Sequence, residues 1–313
     1  MTIDQKFIDQ FVNVTSKAAV ASYNLIGKKD KIAADKATVD SMRNNLNQLN
    51  IKGKIVIGEG ELDEAPMLYI GEEVGTRNGP EIDIAVDPLE GTNFAANNLP
   101  GALSVIAIAE KNNLFNAPET YMEKISANVN EKGVVDLDYS TKENIFNLCE
   151  YLNKKPESIT ACIMDRPRHK DIIDELNILG VKVKLITDGD VSGALLVTDD
   201  KYGVDIFLGI GGGPEGVLAS AALDTFECSF QGRFLFHTEE DKRRANKMGI
   251  TNLSKKYELD EIVKGDSIFC ATGITSGDLV SGIITENNKF ITETLVTHKS
   301  TGLKKIIKKV VNR

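Results

Sequence analysis

The stretch that decides the fold is DIAVDPLEGT, residues 83 to 92. Its first half alternates apolar residues with others at a period of two, which predicts a β-strand. Asp87 and Glu90 then follow, three residues apart around Pro88. Two carboxylates held that close repel each other unless a cation lies between them. Because carboxylate oxygens suit hard dications, this turn indicates Mg²⁺ or Mn²⁺ binding.

Two more acidic loops follow predicted strands. Glu59 lies in GEGELDEAP, after the strand predicted for residues 54–57, and Glu215 lies in GIGGGPEG, after the strand predicted for residues 205–209. A single acidic loop is usually a solvated turn or a helix cap. Three such loops at strand ends, where α/β proteins place their chemistry, favour a shared acidic site.

Composition excludes several classes of protein. The chain has 313 residues, 42% hydrophobic and 27% charged, with 37 basic against 46 acidic side chains and a net charge of −9. Nucleic-acid binding is not expected, since it depends on basic residues that neutralise phosphates. No long apolar run predicts a membrane span, and the start MTIDQKFIDQF predicts no signal peptide. The four cysteines show no CxxC spacing, which fits reduced thiols and a cytoplasmic location.

Helical and strand patterns alternate along the chain, which predicts an α/β fold. We predict two subdomains, an N-terminal metal-binding one and a C-terminal substrate-binding one, over residues 1–157 and 158–313. The basic tail LKKIIKKVVNR predicts a final strand or a short amphipathic helix, and His298 shows no partner pattern and is expected at the surface. The other predicted elements are helices over residues 3–26, 32–49, 67–74 and 170–179, a helix ending at Ala194 and one ending at Leu223, and strands over residues 82–86, 103–110, 160–164 and 181–186.

A basic motif, DRPRH, follows the strand predicted for residues 160–164. Arg166 and Arg168 can bind phosphate oxygens in bidentate fashion, Pro167 would fix the spacing between them, and His169 adds a further polar group. The alternative is a solvated basic loop. The position after a strand, in an acidic protein, favours phosphate binding.

Two other loops leave alternatives open. The spacing of Gly211, Gly213 and Gly216 matches a dinucleotide-binding fingerprint, which is a weak signal without further context. The same backbone N–H groups at a helix start would also serve a sugar phosphate. In TDGD, Asp188 and Asp190 could ligate a metal, or Asp190 could form a turn and a helix cap.

DPLEGT resembles the DPxDGT/S metal motif of the lithium-sensitive sugar and inositol phosphatase superfamily. With Glu in the fourth place it is similar to the bacterial class II fructose-1,6-bisphosphatases of the glycerol-operon type. The WDxAAG block of the wider superfamily is absent, and GGPEG stands in its place. Seven blocks resemble that family in order, over residues 30 to 280: VIGEGELDEAPMLYIGEEVG, DIAVDPLEGT, NAPETYMEK, RPRH, DGD, GIGGGPEGV and ATGITSGDL.

This resemblance implies a layered α/β/α/β/α fold with two subdomains, two or more Mn²⁺ or Mg²⁺ ions per active site, and a homodimer or homotetramer. It implies metal ligands at Asp35, Glu59, Asp87, Glu90 and Glu215. It also implies substrate contacts at Glu90, Gly91, Thr92, Tyr121, Arg166, Pro167, Arg168, His169, Asp188, Gly189, Asp190 and Gly212.

Three residues are candidates for a catalytic role. Thr92 would orient or deprotonate the attacking water, with help from a metal and a neighbouring carboxylate, because a free threonine hydroxyl is a poor base. Asp63 is the candidate for that carboxylate, and Lys31 would draw phosphate in. The alternative for Thr92 is an ordinary helix cap.

The resemblance thus implies metal-dependent hydrolysis of the 1-phosphate of fructose 1,6-bisphosphate, as in gluconeogenesis, with a small-molecule sugar bisphosphate as substrate. One alternative is an enzyme that also accepts sedoheptulose 1,7-bisphosphate. Others are a nucleotide-dependent oxidoreductase built on residues 204–224, and a metal-dependent sugar-phosphate-binding protein without catalysis.

Overall fold

The structure is a computed structural model that describes residues 3–58, 68–116 and 118–313. In chain order its helices are α1 (Phe7–Ala21), α2 (Lys31–Leu46), α3 (Thr92–Asn97), α4 (Thr141–Leu152), α5 (Lys170–Ile178), α6 (Asp190–Leu195), α7 (Gly213–Phe226), α8 (Glu239–Lys247) and α9 (Leu259–Ile262). Its strands are β1 (Lys52–Ile57), β2 (Glu73–Val74), β3 (Glu81–Glu90), β4 (Leu103–Glu110), β5 (Tyr121–Ala127), β6 (Thr160–Met164), β7 (Lys182–Ile186), β8 (Ile206–Gly212), β9 (Ser229–Leu235), β10 (Lys256–Glu258), β11 (Ser267–Gly273), β12 (Ile284–Glu286), β13 (Lys289–His298) and β14 (Leu303–Asn312).

The chain divides into two compact units, one made of Met1–Asn116 with Val263–Arg313 and the other of Ala117–Ile262. In the first unit the strands follow the order β12–β13–β11–β4–β3–β1–β2, and β14 also pairs with β13. β3 pairs antiparallel with β4 and parallel with β1. Apolar side chains of α1 and α2, among them Phe11 and Met42, share one buried cluster with Ile84 and Val86 of β3.

The second unit contains a sheet with the strand order β10–β9–β5–β8–β6–β7. β5 lies between β8 and β9 and is antiparallel to both, whereas β6 is parallel to β7 and β8. Ile145 of α4 and Leu176 of α5 are fully buried with Ile206 of β8 in one cluster. Each unit therefore has its own sheet and its own core, which confirms the α/β class and the presence of two subdomains.

The observed division differs from the predicted cut at residues 157/158. β5 lies N-terminal to that cut, yet it is hydrogen-bonded between two strands from beyond residue 200. β11 lies far C-terminal to the cut, yet it pairs along its length with β4. These long-range pairings join segments that local composition assigns to opposite halves of the chain.

The helix predicted for residues 67–74 is wrong over its described part, residues 68–74. The backbone there pairs with β1 instead: the Ile55 N–H donates to the Glu72 carbonyl at 2.9 Å, and the Gly71 N–H donates to the Ile55 carbonyl at 2.7 Å. Leu68 and Val74 are buried. The apolar positions that suggested a helix therefore belong to a segment that runs alongside a strand.

His298 is buried, which contradicts the surface position expected for it. Its Nε2 lies 3.2 Å from Asp266 Oδ2, and its Nδ1 lies 3.0 Å from the Thr301 hydroxyl. The C-terminal tail forms the strand β14, the first of the two predicted alternatives. The four cysteines are buried and form no disulfide within the part of the chain that the structure describes, and the cellular compartment stays a prediction. No helix in the described residues is long and apolar enough to cross a membrane.

Candidate active site

The DPLEGT stretch forms the end of β3 and the start of α3. Asp87 pairs with Val105 of β4, and the register then shifts by one residue so that Glu90 pairs with Leu103, which is a β-bulge. Gly91 caps α3 in the left-handed conformation, with φ of 77°. The bulge and the glycine thus bring Asp87, Glu90 and Thr92 together in one short turn.

Asp35 is half-buried on α2, the helix that packs against both β3 and α3. Its neighbour Ala34 and the turn residue Leu89 belong to the same buried cluster. α2 begins where the Asp30 carboxylate accepts a hydrogen bond from the Ala33 N–H at 2.9 Å. Lys31, the first residue of that helix, is exposed to solvent.

The first unit offers the donor chemistry of a dication site. Asp35, Asp87 and Glu90 supply carboxylate oxygens, which are ligands that Mg²⁺ and Mn²⁺ prefer, and Glu90 is only 5% exposed. Glu59 and Asp63 lie outside the described residues. Within residues 3–58, 68–116 and 118–313, no group of three or more His, Cys, Asp and Glu side chains is arranged to hold a metal ion. The complete ligand set therefore stays a prediction.

Thr92 is the first residue of α3 and is half-buried. The capping position belongs to Gly91, and no side-chain capping hydrogen bond is present at this helix start. Thr92 is therefore not the helix cap that the alternative interpretation made it. The role of Thr92 in orienting or deprotonating water stays a prediction.

In the second unit, two predicted substrate contacts meet. The Arg168 guanidinium lies over the Tyr121 ring, 4.9 Å from its centroid. Arg168 also donates to the Ile210 carbonyl from Nε at 3.0 Å and from Nη2 at 2.7 Å, which fixes the plane of the guanidinium. Arg166 donates from Nη1 to the Asp165 carbonyl at 2.9 Å. Arg168 lies within a short turn, Pro167–His169, that follows β6, and Arg166 directly precedes this turn.

His169 is fully buried behind this basic turn. Its Nε2 accepts a hydrogen bond from the Ile210 N–H at 2.7 Å, so Nδ1 carries the proton and donates to the Met164 carbonyl at 2.6 Å. Burial is the main cause that lowers the pKa of His169, and Arg168 contributes to the same direction. The neutral ring thus ties β6 to β8, and direct contact with substrate stays a prediction.

The TDGD loop places Asp190 at the start of α6, after Gly189 in the left-handed conformation. Asp190 is buried, and its Oδ2 accepts a hydrogen bond from the ammonium of Lys124. The same ammonium donates to the Gly212 carbonyl at 2.6 Å. Asp188 is half-buried, and its Oδ1 accepts from the Gly189 N–H at 3.2 Å.

Lys124 was missed by the sequence analysis, although NAPETYMEK contains it. Met122, Lys124 and Ser126 alternate along β5, and all three are buried in the structure. A lysine at an inward position of a strand is a sign of a buried ion pair, because Lys is almost never fully buried without a partner.

Glycines in GIGGGPEG make room for carboxylates. A Cβ added to Gly211 would lie 1.9 Å from Asp190 Oδ2, and one added to Gly212 would lie 1.8 Å from Glu215 Oε2. In a dinucleotide-binding loop the glycines instead let a pyrophosphate approach. Two carboxylates against these glycines would repel that anion, so the dinucleotide alternative is not supported.

Glu215 lies in the first turn of α7. Loss of solvation raises the pKa of Glu215, an effect that Lys124 opposes and Asp190 reinforces. A dication would stabilise the charged form of such a carboxylate. Its predicted role as a metal ligand is consistent with this environment and stays a prediction.

Comparison with known proteins identifies the class as phosphatases. The family model for bacterial fructose-1,6-bisphosphatase, glpX-encoded, matches residues 5–311. A D-fructose 1,6-bisphosphatase class 2/sedoheptulose 1,7-bisphosphatase of Synechococcus sp. (strain CC9902) is 43% identical over 308 residues, which cover 94% of this chain and 92% of that protein. The protein with the same description from Prochlorococcus marinus (strain MIT 9301) is 42% identical with the same coverage.

The chain therefore belongs to the glpX-encoded family of bacterial fructose-1,6-bisphosphatases. A solved structure described as an inositol monophosphatase-fructose 1,6 bisphosphatase shows a weak likeness, with 14% identity and a TM-score of 0.36, over 63% of this chain and 73% of that one.

Proposed function

We propose that this protein hydrolyses the 1-phosphate of fructose 1,6-bisphosphate to give fructose 6-phosphate and inorganic phosphate. The observation that carries the proposal is the family match across residues 5–311. The DPLEGT turn supports it, because it gathers two carboxylates and a threonine hydroxyl at a bulge and a left-handed glycine.

We assign metal binding to Asp35, Glu59, Asp87, Glu90 and Glu215, and two or more Mn²⁺ or Mg²⁺ ions to the active enzyme. When bound, such ions neutralise phosphate charge and lower the pKa of water. Thr92 orients that water, Asp63 accepts its proton, and Lys31, exposed at the start of α2, attracts the phosphate.

Substrate binding is assigned to the basic turn and the TDGD loop. Arg168, stacked on Tyr121, presents a planar guanidinium that suits a phosphate group. Asp190 accepts a hydrogen bond from a sugar hydroxyl. The remaining assigned contacts are Glu90, Gly91, Thr92, Arg166, Pro167, His169, Asp188, Gly189 and Gly212.

A second candidate is activity on sedoheptulose 1,7-bisphosphate as well, because the names of the Synechococcus and Prochlorococcus relatives include both activities. We further propose membership of the lithium-sensitive sugar and inositol phosphatase superfamily, a role in gluconeogenesis in the cytoplasm, and a homodimer or homotetramer.

The test is phosphate release by the purified protein from each bisphosphate, with Mn²⁺ or Mg²⁺ and after removal of metal by a chelator. We expect metal-dependent release from fructose 1,6-bisphosphate, and the ratio of the two rates decides the second candidate. Binding of the sugar phosphate without any release, across several metals, would instead identify a binding protein without catalysis.

A further inference from the structure

Lys124 occupies the middle of β5, and its side chain is 1% exposed. Its cross-strand partners are Gly209 on β8 and Gly232 on β9. Because neither partner has a side chain, the long lysine stem has room to lie over the sheet toward α6 and α7. The two glycines therefore leave the space that the buried lysine side chain occupies.

The ammonium of Lys124 joins two predicted substrate contacts that are 22 residues apart in sequence. It binds Asp190 Oδ2 at the start of α6 and the Gly212 carbonyl at the end of β8. The Lys124 ammonium thus sets the spacing between the Asp190 carboxylate and the Gly212 carbonyl. The sequence predicts that both residues contact the substrate.

The second oxygen of Asp190 is left without a hydrogen bond. Asp190 is 6% exposed, and its Oδ1 is buried with no partner among the described residues. A buried carboxylate oxygen without a donor costs free energy, so such atoms in native proteins call for an explanation. A hydroxyl group from a bound sugar is a donor of the right kind.

We propose that Lys124 is a positioning residue for substrate binding, which acts by holding Asp190 and Gly212 in place. This inference rests on the proposed function. Lys124 takes one carboxylate oxygen, which leaves the other as a fixed acceptor for a substrate hydroxyl. A purely structural ion pair would need no open acceptor, and an apolar pair of similar volume is often as stable as a buried ion pair.

The experiment measures KM and kcat for fructose 1,6-bisphosphate in four variants: Lys124→Met, Asp190→Asn, the two combined, and Lys154→Met. Lys154 forms an ion pair with Asp205 in the same unit and serves as the matched control. We expect KM to rise by about 10- to 100-fold in Lys124→Met, the range for loss of a hydrogen bond to a charged group. We expect kcat to change by less than about threefold, because the reacting phosphate is not touched, and the control to behave as the wild type.

The combined variant distinguishes positioning from a separate role. If Lys124 acts through Asp190, adding Lys124→Met to Asp190→Asn raises KM by less than about threefold. Comparison of Asp190→Asn with the combined variant also remains informative if Lys124→Met alone fails to fold. In that background Asp190→Asn has already removed the carboxylate that loss of the lysine would leave uncompensated.

Two results would overturn the inference: folded Lys124→Met with KM within twofold of the wild type, or fold-changes that multiply in the combined variant. If the wild type releases no phosphate, the proposed function fails instead. The same four variants are then compared by calorimetric titration with fructose 6-phosphate, where equal affinity of Lys124→Met and wild type would overturn the role of the lysine.

Discussion

Two turns, one in each unit, share a backbone design. In the first unit β3 ends in Glu90, Gly91 adopts φ of 77°, and the six-residue helix α3 begins at Thr92. In the second unit Gly189 follows β7 and Asp188 with φ of 82°, and the six-residue helix α6 begins at Asp190. In both, a left-handed glycine separates two polar residues at the start of a short helix.

The turns differ in how their charges are treated. Asp190 is hydrogen-bonded to an ammonium of the protein itself, whereas the first turn brings two carboxylates, Asp87 and Glu90, around a bulge. A carboxylate that an internal lysine neutralises has little need of a dication. The comparison teaches that turns of similar backbone can differ in the charges around them, in line with the metal binding that we propose for the first and the hydroxyl binding that we propose for the second.

The largest effect is expected from Asp87→Asn in the first turn. Turnover should fall at least about a thousandfold, beyond the 10- to 100-fold that changes around a metal ligand usually cost. Glu81→Gln, on the same strand and in a surface ion pair with Lys111, is the control. Steady-state rates and circular dichroism check both variants, and near-normal turnover in folded Asp87→Asn would remove the distinction between the turns.

A large effect on stability is expected from Lys124→Met on β5, whose ammonium binds Asp190 of the second turn. Removing the lysine leaves a buried carboxylate, so the free energy of unfolding should fall by about 3–5 kcal/mol. Lys154→Met removes a partly exposed ion pair and should cost less than about 1 kcal/mol. Urea denaturation measures both, and equal losses would mean that the buried cation does not stabilise this turn.

Smaller losses are expected when the shared glycines are replaced. Gly91→Ala and Gly189→Ala should each cost about 1–2 kcal/mol, because a Cβ is unfavourable at positive φ. A Cβ at Gly91 would also lie 2.9 Å from Phe94 Cδ2, whereas one at Gly203, with φ of 65°, would meet nothing within 4 Å. Gly203→Ala therefore measures the backbone cost alone. If Gly91→Ala lowers the free energy of unfolding no more than Gly203→Ala does, the Phe94 side chain moves aside at no cost in stability.

The smallest effect concerns acid stability away from both turns. Burial by itself would raise the pKa of Asp266, but N–H donors from Ser300 and Ile3, together with His298, hold it below its usual value. A depressed folded pKa gives stability that is present above the unfolded pKa of about 3.9 and lost as pH falls through the folded value. The free energy of unfolding should thus decline as pH falls below about 5, with a shallower decline in Asp266→Asn. Urea titrations at several pH values check this, and identical slopes would contradict it.

Local patterns predicted the elements that depend on local chemistry. The strands Leu103–Glu110 and Thr160–Met164 were predicted with their observed bounds, because continuous apolar runs between polar turns leave few alternatives. The helix predicted over residues 67–74 failed because hydrogen bonds to β1 decide that segment. The division at residues 116/117 and 262/263 was missed because strand pairing between distant segments leaves no local mark.

The site was predicted unevenly for the same reason. Motif spacing identified DPLEGT, and α2, the helix that carries Asp35, packs against the elements that this motif forms. The contact of Arg168 with Tyr121 joins two predicted residues, but nothing in either motif specifies that they stack. Lys124 was missed because a single charged residue in a strand is read as solvent-facing unless the burial of its neighbours is known.

The insertion of the second unit into the first has a consequence for synthesis. The chain leaves the first unit after Asn116 and returns at Val263, where Leu114 and Val263 form a β-bridge. The inserted unit is one continuous stretch, whereas the sheet that carries DPLEGT needs β11, β13 and β14 from the last 51 residues, 263 to 313. At about 5–20 residues per second, roughly 3–10 seconds of translation separate the two. On the ribosome, the unit that carries Asp190 is therefore ready to fold first, while β4, which pairs with the strand that ends in Glu90, still lacks its other partner β11.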